Sequence, residues 1–278
     1  MVIEKNISYK TKRFIAHFLL ILILLSTLFP LYVMIVTSLR ESGNVLPDIK
    51  NLIPKSITFK NYVDVWKSGN FHRYFLNSVI VTFSVTLLNV IFDSMVAYGL
   101  SRKDFKGSNI ILFIIIGRMM IPAQVLMIPV FILIRKLHMY NTYWALILPF
   151  AVQGFGIFLM KQYFDGLPKE LDEAAKMDGA GDFTILFKVL LPISTPALAV
   201  LIINTFLTTW NAFLYPLILT NTDSMRTLPI GVAYFNTLQG VDYVHLMAGS
   251  TITVLPVILI FLAFQKRIIS GLTQGAIK

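Results

Sequence analysis

The chain has 278 residues, 56% of them hydrophobic and only 14% charged, against about 25% charged in soluble domains. With a mean hydropathy of +0.74, this is a membrane protein by composition alone. Its net charge of +10 comes from basic residues near the ends of apolar segments, a topology signal rather than a nucleic-acid footprint. The absence of cysteine excludes disulfides, thiol catalysis and thiolate metal sites.

In chain order, the N-terminal tail carries Lys5, Lys10, Lys12 and Arg13 ahead of an apolar run from Phe14 to Val36. That run is longer than a secretory core and long enough to span, so it reads as a signal-anchor helix. Further spans are expected at Asn77–Leu100, Ile110–Ile134, Tyr143–Met160, Leu198–Thr220 and Leu246–Phe264. Each is close to the roughly 20 residues that cross a bilayer as a helix. None alternates as barrel strands would. Basic residues at the N-terminus, at Arg102, Lys103 and Lys106, and at Lys266, Arg267 and Lys278 place both termini in the cytoplasm. The Arg40–Arg73 loop, outside in that scheme, is a mild conflict because it carries six basic residues.

The second and third spans each contain a charge, Asp93 and Arg118. Intramembrane charges are costly and usually paired. Each lies about 11–12 Å from the cytoplasmic end of its helix, at about 1.5 Å per residue. Two readings follow: an Asp93–Arg118 ion pair pinning antiparallel neighbours, or an Arg118 that faces the pathway and meets an acidic solute. Pro30, Pro122, Pro129, Pro149 and Pro256 lie in or near span interiors and can bend them.

Between the fourth and fifth spans lies a polar insert, Asp165 to Pro196. Pro168 suits a helix start. Leu171, Ala174 and Ala175 share one face, and Glu170, Asp172 and Glu173 favour the positive end of the helix. Gly179 can end it in the left-handed conformation. Asp182 is an expected N-cap for a second helix through Leu190, with Phe183 and Phe187 as an aromatic stripe. The small residues make an exposed surface that another protein can approach closely. The alternative, a hairpin resting on headgroups, would call for a basic polar face and large apolar residues.

In the fifth span Asn204, Thr208, Asn211 and Tyr215 recur with helical periodicity. They can line an aqueous path for hydroxyl-rich solutes or hydrogen-bond between helices. The external loop Asn221–His245 reads only as a glycine-punctuated loop.

Three strings in the insert, Glu173-Ala174-Ala175, Asp178-Gly179-Ala180 and Leu191-Pro192, resemble the coupling motif of ABC importer permeases. The ordered set continues with Asn77-Ser78, Ala97-Tyr98, Arg102, Phe105, Met120-Ile121-Pro122, Gln124, Asn141-Thr142-Tyr143 and Trp210-Asn211. It closes with Thr227-Leu228-Pro229, Met247-Ala248-Gly249-Ser250, Gly271-Leu272-Thr273 and Gly275-Ala276-Ile277-Lys278. The whole is similar to the maltose-type second permease subunit of the carbohydrate-uptake branch. Asp93 and Arg118 depart from the apolar or small residues expected there.

The resemblance implies an all-α membrane protein of six transmembrane helices, an ABC type-1 importer domain with a cytoplasmic coupling-helix loop. The expected layout is a cytoplasmic tail (1–13), a peripheral first helix (14–36), a transmembrane core (70–267, coupling loop 163–196) and a cytoplasmic tail (268–278). It implies half of the pathway of an importer for a sugar or oligosaccharide in a bacterial inner membrane. ATPase coupling falls to Glu173, Ala174, Ala175, Asp178, Gly179, Ala180 and Pro192. The implied partners are a second homologous permease, two cytoplasmic ATP-binding-cassette ATPases, an extracytoplasmic solute-binding protein and membrane lipid, with no nucleic acid. No cofactor is expected in this chain. It has no G-x-x-x-x-G-K-[ST] loop, so ATP and Mg would belong to the partner ATPase. The four histidines lack metal spacing, and no G-x-S-x-G elbow occurs. Alternatives are the same machine carrying a glycerol-phosphate-type or acidic-sugar solute, and an ion-coupled secondary transporter.

Overall fold

The computed structural model describes residues 9–41, 56–237 and 240–274. Within them the chain is almost entirely helical. Four helices are long and apolar enough to cross a membrane, and two further pairs, each bent at a short break, bring the number to six. The expected number of spans holds; their continuity does not.

The chain divides into two units. The first contains Met1–Ser68 and Val232–Thr253. Its α1 (Tyr9–Ser38) is apolar all round, contains Pro30, and is exposed along most of its length. Leu, Ile and Phe exposed in such a run are suited to lipid, not water. Its C-terminal carbonyls are capped from α2 (Lys60–Lys67): Asn61 is buried and its amide donates to Ser38 O at 2.8 Å and Arg40 O at 2.7 Å. Helix begins at Tyr9, within the tail expected over 1–13; residues 1–8 lie outside the described residues. So does much of the Arg40–Arg73 loop, at 42–55.

The second unit contains Gly69–Gly231 and Val254–Lys278. Its centre is α3 (Phe71–Arg102), a 32-residue helix packed against α7 (Gly154–Asp165) and α11 (Thr195–Trp210). The third expected span is broken. It consists of α4 (Ser108–Met119), a turn at Met120–Pro122, a short 3₁₀ segment and α5 (Met127–Lys136), with a 96° bend. Pro122 stands at that break, where its missing N–H and fixed φ end a helix. The fourth runs further than expected, through α6 (Tyr143–Ile147), a turn over Leu148–Phe150 that includes Pro149, and α7. The fifth stops at Trp210, and α12 (Leu214–Leu219) begins after a break.

Polar clamps tie these pieces at one end. Asn77 donates to Ser224 O at 2.9 Å and Arg226 O at 2.7 Å, while Tyr143 OH donates to Asn77 Oδ1 at 2.6 Å. Ser78 Oγ accepts Leu228 N–H at 2.8 Å. Asn141, at φ 61°, accepts three hydrogen bonds from Asn221 and Thr222. Asn tolerates that left-handed conformation better than most residues. The Asn221–His245 segment is more ordered than a plain loop: it holds α13 (Leu228–Ala233) and a two-residue antiparallel ladder, β1 (Asn236–Thr237) with β2 (Gly240–Val241). Finally α14 (Tyr243–Gln274) carries Pro256 and continues into the expected 268–278 tail, of which 275–278 lie outside the described residues.

Candidate functional site: a docking helix and a cavity

The insert folds as α8 (Glu170–Met177), then α9 (Asp182–Thr184), a π-helical turn over Ile185–Leu190, and α10 (Leu191–Ile193). Helix α8 starts two residues after Pro168 and ends as its sequence predicts. Gly179 has φ +80°, its N–H donates to Lys176 O at 2.9 Å, and Ala180 N–H donates to Ala175 O at 2.9 Å. These two bonds form a Schellman cap. The expected N-cap is different: Gly181 holds that position, and Asp182 instead accepts from Lys103 Nζ at 2.5 Å and Tyr98 OH at 3.0 Å. Those contacts hold its carboxyl below the usual range, the Lys103 hydrogen bond most strongly.

The faces of α8 also differ from expectation. Ala175 and Ala180 pack on a core of Ala97, Tyr98, Met160, Phe164, Ile185 and Leu190. Glu173, Ala174, Asp178, Gly179 and Pro192 are exposed. Met177, at 89% exposure, and Phe183, at 67%, stand out beside them. Asp172 faces inward, where Arg102 Nε lies 3.1 Å from its Oδ2. Arg102 Nη2 also donates to Leu167 O at 3.0 Å. The inward turn of Asp172 and the exposure of Met177 were not legible in the sequence, because an eight-residue helix is too short for periodicity to separate its faces.

Inside the second unit, α3, α4, α7, α11 and α12 with their connecting turns enclose a cavity of about 520 Å³. Its wall includes Arg118, Gln153, Phe150, Phe155, Thr208 and Tyr215. Thus Thr208 and Tyr215 line it, and Asn204 and Asn211 do not. All three of Asn204, Thr208 and Asn211 are exposed on α11 or at its end. Tyr215 belongs to the next helix, so the four-residue stripe is not continuous. Its hydroxyl donates to Ala123 O at 2.7 Å, and its ring meets Phe150 edge-on at 5.0 Å.

The proposed Asp93–Arg118 pair is not formed. Asp93 is fully buried; its Oδ1 accepts Gln153 N–H at 2.9 Å, and its Oδ2 receives no hydrogen bond among the described residues. Gln153 is the N-cap position of α7, so the carboxyl meets the positive end of that helix. Gly156 lies against the same carboxyl. Arg118 is exposed to the cavity, and no ion pair or side-chain hydrogen bond joins it to another described residue. Equal spacing from the helix ends does not bring the two side chains together, because each residue turns a helix by about 100° and position along the axis does not fix direction.

These features define a membrane-embedded subunit with an exposed polar helix and an internal cavity. Residues 89–274 match the family of binding-protein-dependent transport system inner membrane components. The chain is 41% identical over 254 residues to an arabinooligosaccharides transport system permease protein of Bacillus subtilis, covering 90% of each chain. It is 37% identical to a trehalose/maltose transport system permease protein of Thermococcus litoralis, covering 93% of this chain and 94% of that one. It also superimposes with a TM-score of 0.83, at 26% identity and over 94% and 98% of the two chains, on a chain of a bacterial ABC transporter that imports the acidic polysaccharide alginate. The protein belongs to the binding-protein-dependent transport inner membrane component family. It is therefore a non-catalytic permease subunit of an ABC importer, and the ion-coupled alternative is set aside.

Proposed function

We propose that this chain forms one half of the translocation pathway of an ATP-driven importer for a sugar or oligosaccharide. Relatives named for arabinooligosaccharides, trehalose/maltose and diacetylchitobiose support the cargo class. A solute-binding protein delivers the cargo. A second homologous permease completes the pathway, and two cytoplasmic ATPases bind ATP and Mg. Both termini and α8 face the cytoplasm, in line with the basic residues beside the spans.

The observation that carries this reading is α8. Its outer surface of Glu173, Ala174, Met177, Asp178 and Gly179 is exposed, while its inner face is fixed to the base of α3 through Arg102 and Asp172. A helix exposed on one side and pinned on the other can transmit force. Closure of the ATPases on ATP moves α8; α3, α7 and α11 follow as a packed group; the cavity opens alternately to either side. Asn204 and Asn211, exposed on α11 and just beyond its end, are suited to the second permease or to the pathway between the two.

The native chain has no cysteine, so Met177→Cys gives a single exposed thiol. A photoreactive thiol reagent at that site should crosslink to an ATPase subunit, and ATP should change the yield. A complex that imports sugar with ATP consumption yet never crosslinks from this site contradicts the assignment. The sequence-suggested Ala175 is a poorer probe, because it is half-buried against the core.

A further inference from the structure

The cavity holds a cation, Arg118, that no ion pair or side-chain hydrogen bond meets among the described residues. Arg118 stands in the last turn of α4, at the lip of the 96° break that follows it. Its position near the helix C-terminus is mildly favourable. That field does not satisfy the guanidinium, whose five N–H groups require acceptors. None accepts from it among the described residues, and the buried carboxyl of Asp93 is turned toward Gln153 and Gly156. A charge at membrane depth faces a bundle interior or a water-filled cavity, and such residues mark solute pathways. Broken helices at that depth are tolerated where they line such a cavity.

The rest of the wall fits an organic solute. Phe150, Phe155 and Tyr215 offer apolar ring faces, and Gln153, Thr208 and Ser78 offer hydrogen-bonding groups. The volume of about 520 Å³ falls inside the range of about 300–1,000 Å³ usual for ligand sites. A guanidinium presents a planar fork that matches carboxylate and phosphate oxygens.

We propose that Arg118 is an anion-recognition point in this cavity, so that the solute crossing it is a hydroxylated molecule bearing a carboxylate or phosphate group. This rests on the transporter reading above and narrows its cargo to acidic or phosphorylated sugars. The neighbouring rings hold the carbon skeleton, and Arg118 supplies the charge that a neutral sugar would leave unpaired. Pairing in transit need only be transient, which a solvated cavity allows more readily than a buried pair would.

The test uses the complete transporter in proteoliposomes, with Ala212→Cys as the reporter, a small cavity-lining residue in a chain without native thiols. Modification by a small anionic methanethiosulfonate is read by mass spectrometry on this chain. Digalacturonate, glucose 1-phosphate and neutral galactobiose serve as competitors. One of the two anions should slow modification at least about fivefold, the effect of a single ion pair even in water. Galactobiose should leave the rate unchanged. Whichever anion protects distinguishes carboxylate from phosphate as the cargo's group. Arg118→Gln should abolish the protection and Arg118→Lys should keep part of it. Equal protection by galactobiose, protection that survives Arg118→Gln, no protection by either anion, or a thiol that never reacts overturns the proposal. The Met177→Cys crosslink reports separately on the transporter reading: a crosslinked complex without anion protection sinks only the role of Arg118.

Discussion

Arg102 Nε and Asp172 Oδ2 stand 3.1 Å apart with both side chains buried, joining the end of α3 to the first turn of α8. The contact lacks hydrogen-bond alignment at Nε, so its attraction is chiefly coulombic, and the guanidinium's directional bond goes to Leu167 O. One side chain therefore fixes both the entry to α8 and its inner face. Removing either charge leaves the other buried and unpaired, at a cost of about 3–5 kcal/mol.

Arg102→Gln and Asp172→Asn should each lower the unfolding temperature of the purified complex and uncouple ATP hydrolysis from import. The double variant should recover much of the lost stability, because no lone charge remains. Arg102→Lys should restore less, since an ammonium cannot reproduce the fork to Leu167 O and Asp172 together. A double-mutant cycle in thermal unfolding reads the interaction, and strictly additive losses would contradict it.

Gly179 tests the backbone of α8 separately from its contacts. Its φ is +80°, and an added Cβ would meet no atom within 4 Å. Substitution should therefore cost only the left-handed strain, about 1–2 kcal/mol. Import should rank Gly179 above Gly179→Asn, then Gly179→Ala, then Gly179→Val, at matched membrane levels. Equal import by the Asn and Val variants would mean that the conformation is unimportant.

Gly156 permits the close approach of α7 to α3 and α11. A Cβ there would overlap Asp93 Oδ2 and come within 2.7 Å of Leu201 Cδ1. Gly156→Ala should destabilise by about 1–3 kcal/mol, the usual range for overpacking. Asp93→Ala alone leaves Gln153 N–H without its acceptor, a loss of about 1–3 kcal/mol. Combined, the two should cost less than their sum, because the overlap with the carboxyl disappears and only the Leu201 contact remains. Thermal unfolding of the four forms decides it.

Asp223 carries a pH dependence. It accepts hydrogen bonds from Tyr74 and Asn70 and an ion pair from Arg226 at 2.8 Å. These hold its carboxyl below the usual range, with the Tyr74 bond the largest cause. A lowered folded-state value stabilises the fold above the ordinary aspartate pKa of about 3.9. That contribution is lost as pH falls through the lowered value. Asp223→Asn should flatten the acid limb of a thermal-stability profile and leave the limb near neutral pH unchanged in slope. An identical acid limb in the variant would show that the carboxylate contributes nothing.

Much of this protein was legible in its sequence because the signals are local. Six apolar runs and Gly179 as a helix stop each depend on a few adjacent residues. Hydropathy sets which segments enter a bilayer, and a glycine after a helix fixes a cap without reference to anything distant. Even the resemblance motifs acquired a physical meaning: Asn77, Ser78, Asn141 and Tyr143 are clamps between separate segments.

Direction and continuity were decided only by tertiary structure. The sequence placed Asp93 and Arg118 at one depth, and packing turned one toward Gln153 and the other into a cavity. It placed Tyr215 on a stripe that a helix break at Asn211–Phe213 interrupts. It put Ala175 outside and read Asp172 only as a charge favouring the helix start, whereas the core took Ala175 and Arg102 drew Asp172 inward. In α8 eight residues are too few for periodicity to separate the faces, and the two cases in the spans share another physical reason. Lipid makes apolar residues favourable on every side of a span, so the pattern that marks an inward face in a soluble helix is missing, and only contacts with distant segments choose the side.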